Sequence, residues 1–554
     1  MNKKDIRNLV LQNAVKFNGK ANVSAVIGHL ISNNPKVKEN IKEISKEVNN
    51  IVKEINKLSL EKQQKELKKK APGLLKEKKQ EKKQGLKDLP NAEKGKVVMR
   101  LEPSPSGPLH IGHAYVGSLN HSYCEKYNGK FIIRIGDTNA NNIYEPAYEL
   151  IKQDSKWLWG NDIEITTQSD NIKVYYEYAE KLFEKEVLYV CDCDPEKFKE
   201  LIISKTACPC RHLSKDKQIQ RWKKMLDKKG YKEGEAVVRF KSSVDYKNPA
   251  MRDFPLLRIN KTKHQKTGNK YRVWPLMNFS VAIDDLTSGI THNIRGKDHA
   301  DNEKRQRMIF EALEKQPPTA LFVGRINFEG FEVSSTKTKE KIDKKVYTGW
   351  DDIRIPFIPS LKRRGYQPQS FVKYAIDVGV SLTDKTVHIE DFFKSINHFN
   401  KEDIDKTSNR YFFVENPKKI KIQHKEKEVK LLIHPDFKER GYRILKAKDE
   451  FYIQDKLEKG KNYRLMHLLN FKDNSFISEG IDESLKAKMI HWLPVTDDLV
   501  DVEILMNNGK TIKGLAEPDL KNEKINNIVQ FERFGFCKLD KIENNKYKFW
   551  FTHR

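Results

Sequence analysis

The chain has 554 residues, 38% hydrophobic and 33% charged, which suits several soluble cores and excludes a fibrous or membrane-embedded design. Its 105 Lys and Arg against 77 Asp and Glu leave a formal charge of +28, which points to a polyanionic partner, nucleic acid first, or to a uniformly lysine-rich coat. No apolar run approaches a membrane span, "MNKKDIRNLVLQN" lacks a signal-peptide core, and six cysteines make no disulfide framework, so a reducing, cytoplasmic setting is expected.

In chain order, residues 1 to about 60 carry Ile41, Ile44, Val48, Ile51, Val52 and Ile55 at three- and four-residue spacings, which predicts helices. The lysine-loaded stretch "KQQKELKKKAPGLLKEKKQEKKQGLKDLP", ending at Pro90, reads mainly as a solvated linker, with an arm that leans on phosphates as the alternative. At Gly95 the texture changes. "KVVMRL" (96–101) and "FIIRI" (131–135) are predicted strands, and Leu119, Tyr123 and Tyr127 share one face of a helix between them. A strand–turn–helix–strand unit implies parallel pairing and an α/β body. From about residue 405, short runs such as "KIKIQ", "VKLLIH", "EFYIQ" and "VDVEILM" predict antiparallel barrel strands.

The stretch "GPLHIGHAYVGSL" (107–119) places His110 and His113 where the first strand hands over to the first helix. Helix N-termini at the carboxyl edge of a parallel sheet present free N–H groups, so nucleotides bind there, and Gly112 allows close approach. A zinc pair on one helix has i, i+4 spacing with an intervening glutamate; this chain has neither, so imidazoles donating to phosphate fit better. A second cluster, Cys191, Cys193, Cys208 and Cys210, is spaced C-x-C-x14-C-x-C, which suits four thiolates around one structural Zn²⁺. Cys124 and Cys537 stand alone and read as packed side chains.

"VVMRLEPSPSGPLHIGHA", "YVCDCDPEKFKEL", "MRDFPLLRI", "YRVWPLMNF", "AIDDLTSGITHNIRGKDH", "GWDDIRIPFIPSLKRRG", "NRYFFVENP", "IHWLP" and "IVQFERFGFCKLD" follow one another in the order seen in a known family. Together they resemble the class I aminoacyl-tRNA synthetases, in the glutamyl branch of archaeal and eukaryotic type. The resemblance spans essentially the whole chain. It implies a Rossmann-like parallel-sheet catalytic domain (95–315) with an inserted, zinc-bearing, acceptor-binding subdomain (about 187–262). A lysine loop and helical stem-contact region (316–404) and a β-barrel anticodon-binding region (405–554) follow, and residues 1–94 are a helical, Lys-rich appendage. The implied substrates are ATP with Mg²⁺, L-glutamate and tRNA(Glu). The resemblance leaves open whether tRNA(Gln) is also charged, and a monomer whose appendage docks another protein is expected.

Residue by residue, the resemblance gives His110 and His113 the signature histidines, beside Gly112. "FEVSSTKTKEK" (331–341) stands at the lysine loop, with Lys337 steadying the triphosphate as pyrophosphate departs and Lys339 as the fallback. Arg100 and Arg295 match a pair that holds a side-chain carboxylate, Ser104 also matches, and Arg363 and Arg364 are expected on tRNA phosphates. Three positions depart. The family's "RIEDTD" is "RIGDTN" here, which removes at Gly136 the carboxylate that receives the substrate's ammonium. "PTYNF" is "PLMNF", which puts Met277 in the amino-acid pocket. Glu102 stands where Ala or Pro is usual. The expectation is that Glu102 takes over the role lost at Gly136. The rival readings are a paralogue with another amino-acid specificity and a non-catalytic tRNA-binding homologue.

Overall fold

The apolar spacing near the N-terminus builds a helical unit, because each stripe can be buried only against another helix. In the computed structural model, which describes residues 3–17, 19–33, 40–71, 85–330 and 332–554, the chain divides into two compact units, Met1–Gln84 and Gly85–Arg554. The first holds α1 (Lys3–Lys16), α2 (Val23–Asn33), α3 (Ile41–Ile55) and α4 (Leu60–Lys70) around Ile6, Val10, Leu11, Val26, Leu30, Val48, Ile51 and Ile55. Part of the expected linker is therefore helical. Ser59 caps α4, Leu67 enters the core, and the buried Gln63 side chain donates to the carbonyls of Gly19 and Ile55, each at 2.9 Å. The rest of the lysine-rich stretch up to residue 84 lies outside the described residues.

The second unit starts with the predicted crossover. The strand β1 (Val98–Leu101) leads through the "PSPSG" turn to α5 (Ile111–Lys126) and then β2 (Lys130–Ile135); α6 (Ala147–Trp159) leads to β3 (Glu164–Thr167). The strands β1, β2 and β3 pair in parallel, in that order. Near-continuous apolar runs (Ile132, Ile133 and Ile135 are buried) are what a sheet covered on both faces requires.

After α7 (Ile172–Glu184) the chain leaves this sheet. It forms an antiparallel one from β4 (Leu188–Cys191), β5 (Val237–Phe240), β6 (Pro255–Ile259) and β7 (Val273–Pro275), with α8 (Pro195–Ile203) and α9 (Lys215–Leu226) between the first two. That sheet runs on to Pro275, past the expected end of the insertion, since the β6–β7 hairpin completes it. The chain returns through α10 (Met277–Thr287) to β8 (His292–Gly296), tied to β1 where the Thr291 N–H donates to the Val98 carbonyl at 3.0 Å. Beyond α11 (Ala300–Ala312), β9 (Thr319–Val323) pairs in parallel with β8.

Helices α12 (Ser335–Asp343), α13 (Ile358–Arg364), α14 (Pro368–Val378) and α15 (Ile389–Ile404) precede the β-rich tail. Its seven-stranded sheet takes strands from 409–411 to 546–553 and surrounds Phe413, Phe531, Val502 and Phe549; a second core forms around Phe412, Phe451, Trp492 and Leu465. Pairing is mostly antiparallel as expected. Three pairs are parallel instead, 409–411 with 528–531, 462–465 with 488–490, and 500–505 with 546–553, each joining strands distant in sequence. Among the described residues no helix is long and apolar enough to cross a membrane.

Candidate functional site

The two histidines close the N-terminus of α5 with their rings. The His110 Nδ1 accepts the Gly112 N–H at 3.1 Å, and the His113 Nδ1 accepts the His110 N–H at 3.4 Å, a reciprocal capping box built from imidazoles. A side chain on Gly112 would sit 2.9 Å from the His110 ring, which explains a glycine there. The rings stack at 3.9 Å between centroids. Burial pushes both imidazoles down, His113 to about 4 and His110 well below its ordinary value, where the neighbouring His113 adds to the effect. Each ring is therefore neutral at pH 7, and with Nδ1 accepting, the proton sits on Nε2. The pair offers ring N–H donors at a helix start whose own Ile111 and Gly112 amides are already bonded.

This turn is held from several sides. The buried Asp154 of α6 accepts the Leu109 N–H at 3.0 Å, and Ile358 donates to the Leu109 carbonyl at 2.8 Å. The lysine segment comes to the same place. Its cap is Ser334, which accepts the Lys337 N–H at 3.4 Å, and a side chain on Gly107 would lie 3.2 Å from Ser335 and 2.9 Å from Trp350. Close approach at Gly107 thus joins the two sequence motifs. Lys337, exposed, pairs with Glu332 at 2.8 Å, and Lys339, half-buried, with Asp343 at 2.6 Å. Lys339 also lies 5.5 Å over Tyr144, whose N–H donates to Pro105 in the histidine turn.

Beside the turn opens a cavity of about 240 Å³ lined by Arg100, Glu102, His113, Met277, Arg295 and Gln306, among others. Its floor is a charge network. Arg100 makes a bidentate bond to Asp285 (2.9 and 3.0 Å), and Arg134 donates to Asp285 at 2.6 Å and to Glu102 at 3.3 Å. Burial alone would raise the Asp285 carboxyl, but Arg100 and Arg134 hold it down at about 2. Burial raises Glu102, and outweighs the pull of the same two arginines. Asp284 is saturated by Gln168, Asn171 and Tyr175 at 2.7 to 3.0 Å.

Arg295 differs from its neighbours. It is buried, bonds only the amide oxygens of Asn293 (3.2 Å) and Gln306 (2.9 Å), and makes no ion pair among the described residues. Burial, with repulsion from Arg100, lowers it to about 10. A desolvated guanidinium without a carboxylate is costly unless a ligand supplies one. Glu102 faces the same cavity: a Cβ added at Gly136 would lie 3.6 Å from its Oε1, so this carboxylate overhangs the position where the family pattern has one.

Not every predicted residue arrives here. Met277 is 41% exposed at the cavity. Ser104 is exposed in the turn, and is not among the residues named around the cavity. Arg363 and Arg364 turn towards the tail rather than outward: Arg363 makes a bidentate bond to Asp540 (both 2.8 Å), and the buried Arg364 donates to the Thr552 carbonyl at 3.1 Å. Neither guanidinium lies open on the surface. Asp285, Arg134 and Gln306 were missed. Two adjacent aspartates inside the apolar helix "SVAIDDL" were the available signal, since buried carboxylates need partners.

The catalytic-domain model of the class I tRNA synthetases (E and Q) matches residues 96–406, and the group's two anticodon-binding models match 408–490 and 489–540. The chain belongs to this synthetase family. It is 41% identical to the glutamate–tRNA ligase of Methanocaldococcus jannaschii over 563 residues, 99% of either chain. It is 40% identical to that of Methanococcus maripaludis over 98% of this chain and 99% of the relative, and 39% to that of Methanobrevibacter smithii over 98% of each.

Away from this cleft, the cysteine cluster assembles as the spacing predicts. All four Sγ atoms lie within 4.8 Å of one another, Cys191–Cys208 at 3.7, Cys193–Cys208 at 3.2 and Cys193–Cys210 at 3.6 Å. Tetrahedral zinc with Zn–S bonds of about 2.3 Å places its sulfurs about 3.8 Å apart, so the donor set fits. Cys124 and Cys537 are buried singly, as expected of packed thiols.

Proposed function

We propose that the protein is a glutamate–tRNA ligase that activates L-glutamate with ATP and transfers it to the 3′-terminal ribose of tRNA(Glu). The observation that carries the amino-acid choice is Arg295, a buried guanidinium without a carboxylate, which opens into the cavity beside the helix start. Arg295 takes the γ-carboxylate of glutamate, and Arg100, already saturated by Asp285, adds fixed positive charge beside it. The α-carboxylate attacks the α-phosphate of ATP, and pyrophosphate leaves. The His110 and His113 rings donate from Nε2 to phosphoryl oxygens, so stabilisation rests on preorganised dipoles. Mg²⁺ bound to the nucleotide adds neutralising charge. Lys337 and Lys339 are tied to Glu332 and Asp343 by partly solvated ion pairs, which they exchange for the departing pyrophosphate. A ribose hydroxyl of the tRNA terminus then attacks the mixed anhydride and releases AMP.

Charging of total tRNA with labelled glutamate, glutamine and aspartate in parallel tests this reading. Glutamate alone is expected to be incorporated, and incorporation of another amino acid, or of none, contradicts it.

Neutral histidines have a consequence for pH. The folded value of His113 is about 4 against about 6.5 unfolded, so the unfolded chain takes up the proton first as pH falls. Stability present above pH 6.5 is lost progressively as the pH falls from there towards 4. The same depression predicts no imidazole titration near pH 6.5 in kcat/KM for ATP. An inflection near 6.5 that disappears in His113→Asn would contradict it.

Cys191, Cys193, Cys208 and Cys210 would hold a structural zinc, which cross-links β4 to the loop after α8 and leaves no coordination position for substrate. One zinc per chain is expected by elemental analysis. Cys208→Ser should lose the metal and lower the thermal midpoint by several degrees, while the KM for ATP changes little. Full metal content in that variant would contradict the assignment.

A further inference from the structure

A buried guanidinium must be paired with an anion or saturated by acceptors, because stripping its water is costly. Among the described residues Arg100, Arg134 and Arg443 bond carboxylates, and Arg252 and Arg464 each donate to three oxygens. Arg295 and Arg364 do neither. Arg295 faces the cavity beside the histidine turn. Arg364, which is 4% exposed, gives one hydrogen bond, to the Thr552 carbonyl at 3.1 Å. Its Nε is buried without a partner, and it makes no ion pair among the described residues.

Arg364 lines a cavity of about 550 Å³ where the end of α13 and the start of α15 meet the last strand of the tail, Lys546–His553. The Tyr366 and Phe393 rings lie 5.3 and 5.0 Å from its guanidinium carbon, and Phe551 completes an aromatic wall. Asn397, also in the wall, accepts the Tyr366 hydroxyl at 2.6 Å. Of the two other arginines bordering it, Arg354 is satisfied by Asp352 and Arg554 is exposed. Glu390 is the acidic residue at this cavity; it is exposed, whereas Arg364 is buried.

We propose that this cavity is a second anion site, distinct from the catalytic cleft, and that it takes a nucleotide with its phosphate on Arg364 and its base against the aromatic wall. The volume is that of a small-molecule pocket, and a ring beside a guanidinium suits a base linked to a phosphate. The nucleotide is either free or one unit of bound RNA. Only the second source rests on the ligase reading.

The test uses the full chain, Arg364→Met, and Asn507→Trp, which fills the mouth of the cavity while leaving the bond from Arg364 to Thr552 in place. Thermal midpoints are measured with AMP and with inorganic phosphate, and tRNA affinity by filter binding. Binding of AMP at the catalytic cleft is common to all three proteins and cancels in the comparison. A midpoint shift with AMP that is larger in the wild type than in both variants assigns a free nucleotide. An affinity for tRNA about ten-fold weaker in both variants, with the KM for glutamate unchanged, assigns a nucleotide of RNA. If AMP, phosphate and tRNA act alike on wild type and Asn507→Trp, the proposal is overturned. Charging activity of the wild type, measured alongside, reports separately on the ligase reading.

Discussion

Glu102→Gln is expected to raise the KM for glutamate about 100-fold, with tRNA affinity and the fold unchanged, because removing one partner of a desolvated charge pair costs about 2–5 kcal/mol. The substrate's ammonium needs a carboxylate in the cavity, and Gly136 cannot supply it. Asp285 is committed to Arg100 and Arg134, and Asp284 to three neutral donors. Glu102 holds one hydrogen bond, from Arg134 at 3.3 Å, and overhangs Gly136. It is the carboxylate with capacity to spare. The reciprocal change gives the sharper result: in Glu102→Ala, adding Gly136→Asp should recover much of the lost affinity, because a Cβ at Gly136 meets nothing closer than 3.5 Å. An unchanged KM in Glu102→Gln would sink the assignment, whatever the double variant does.

Arg295→Gln carries the second large effect. The kcat/KM for glutamate should fall at least about 100-fold, and the preference for glutamate over glutamine should shrink with it, since the γ-carboxylate loses its charged partner while an amide does not. Stability should change little. Arg295 is desolvated beside Arg100 and has no ion-pair partner among the described residues, so the relief of that repulsion offsets the loss of its two hydrogen bonds to amide oxygens. A variant that unfolds in proportion to its loss of activity would instead make Arg295 a scaffold residue. Melting curves and steady-state kinetics on one preparation separate the two outcomes.

Much of this was legible in the sequence, for identifiable reasons. The crossover from β1 to β2 was readable because periodicity changes from strand to helix and back within about 35 residues. The cysteine cluster was readable because two close pairs bring four thiols together at almost any loop geometry. The placing of the two histidines at a helix start was readable, but not the means by which their rings are held neutral, which needs the reciprocal cap and the burial. The surroundings of Arg363 and Arg364 could not be read in advance, because a basic pair on a short helix looks alike whether it faces solvent or a second domain; only the partners, Asp540 and Thr552, some 180 residues later, distinguish the cases. The pairing of Arg100 with Asp285 spans a similar gap, and no local pattern announces it. Lys339 remained a fallback because the register of the lysine loop is ambiguous in one dimension; its ring partner Tyr144 exists only in three.

In the proposed function, the cavity between Arg295 and Glu102 selects glutamate for activation. ATP–pyrophosphate exchange with each of the twenty amino acids, in the presence of total tRNA, tests it most directly. Exchange with glutamate alone, strongly reduced in both Glu102→Gln and Arg295→Gln, is the predicted result. Exchange with a different amino acid, or with none, would contradict it.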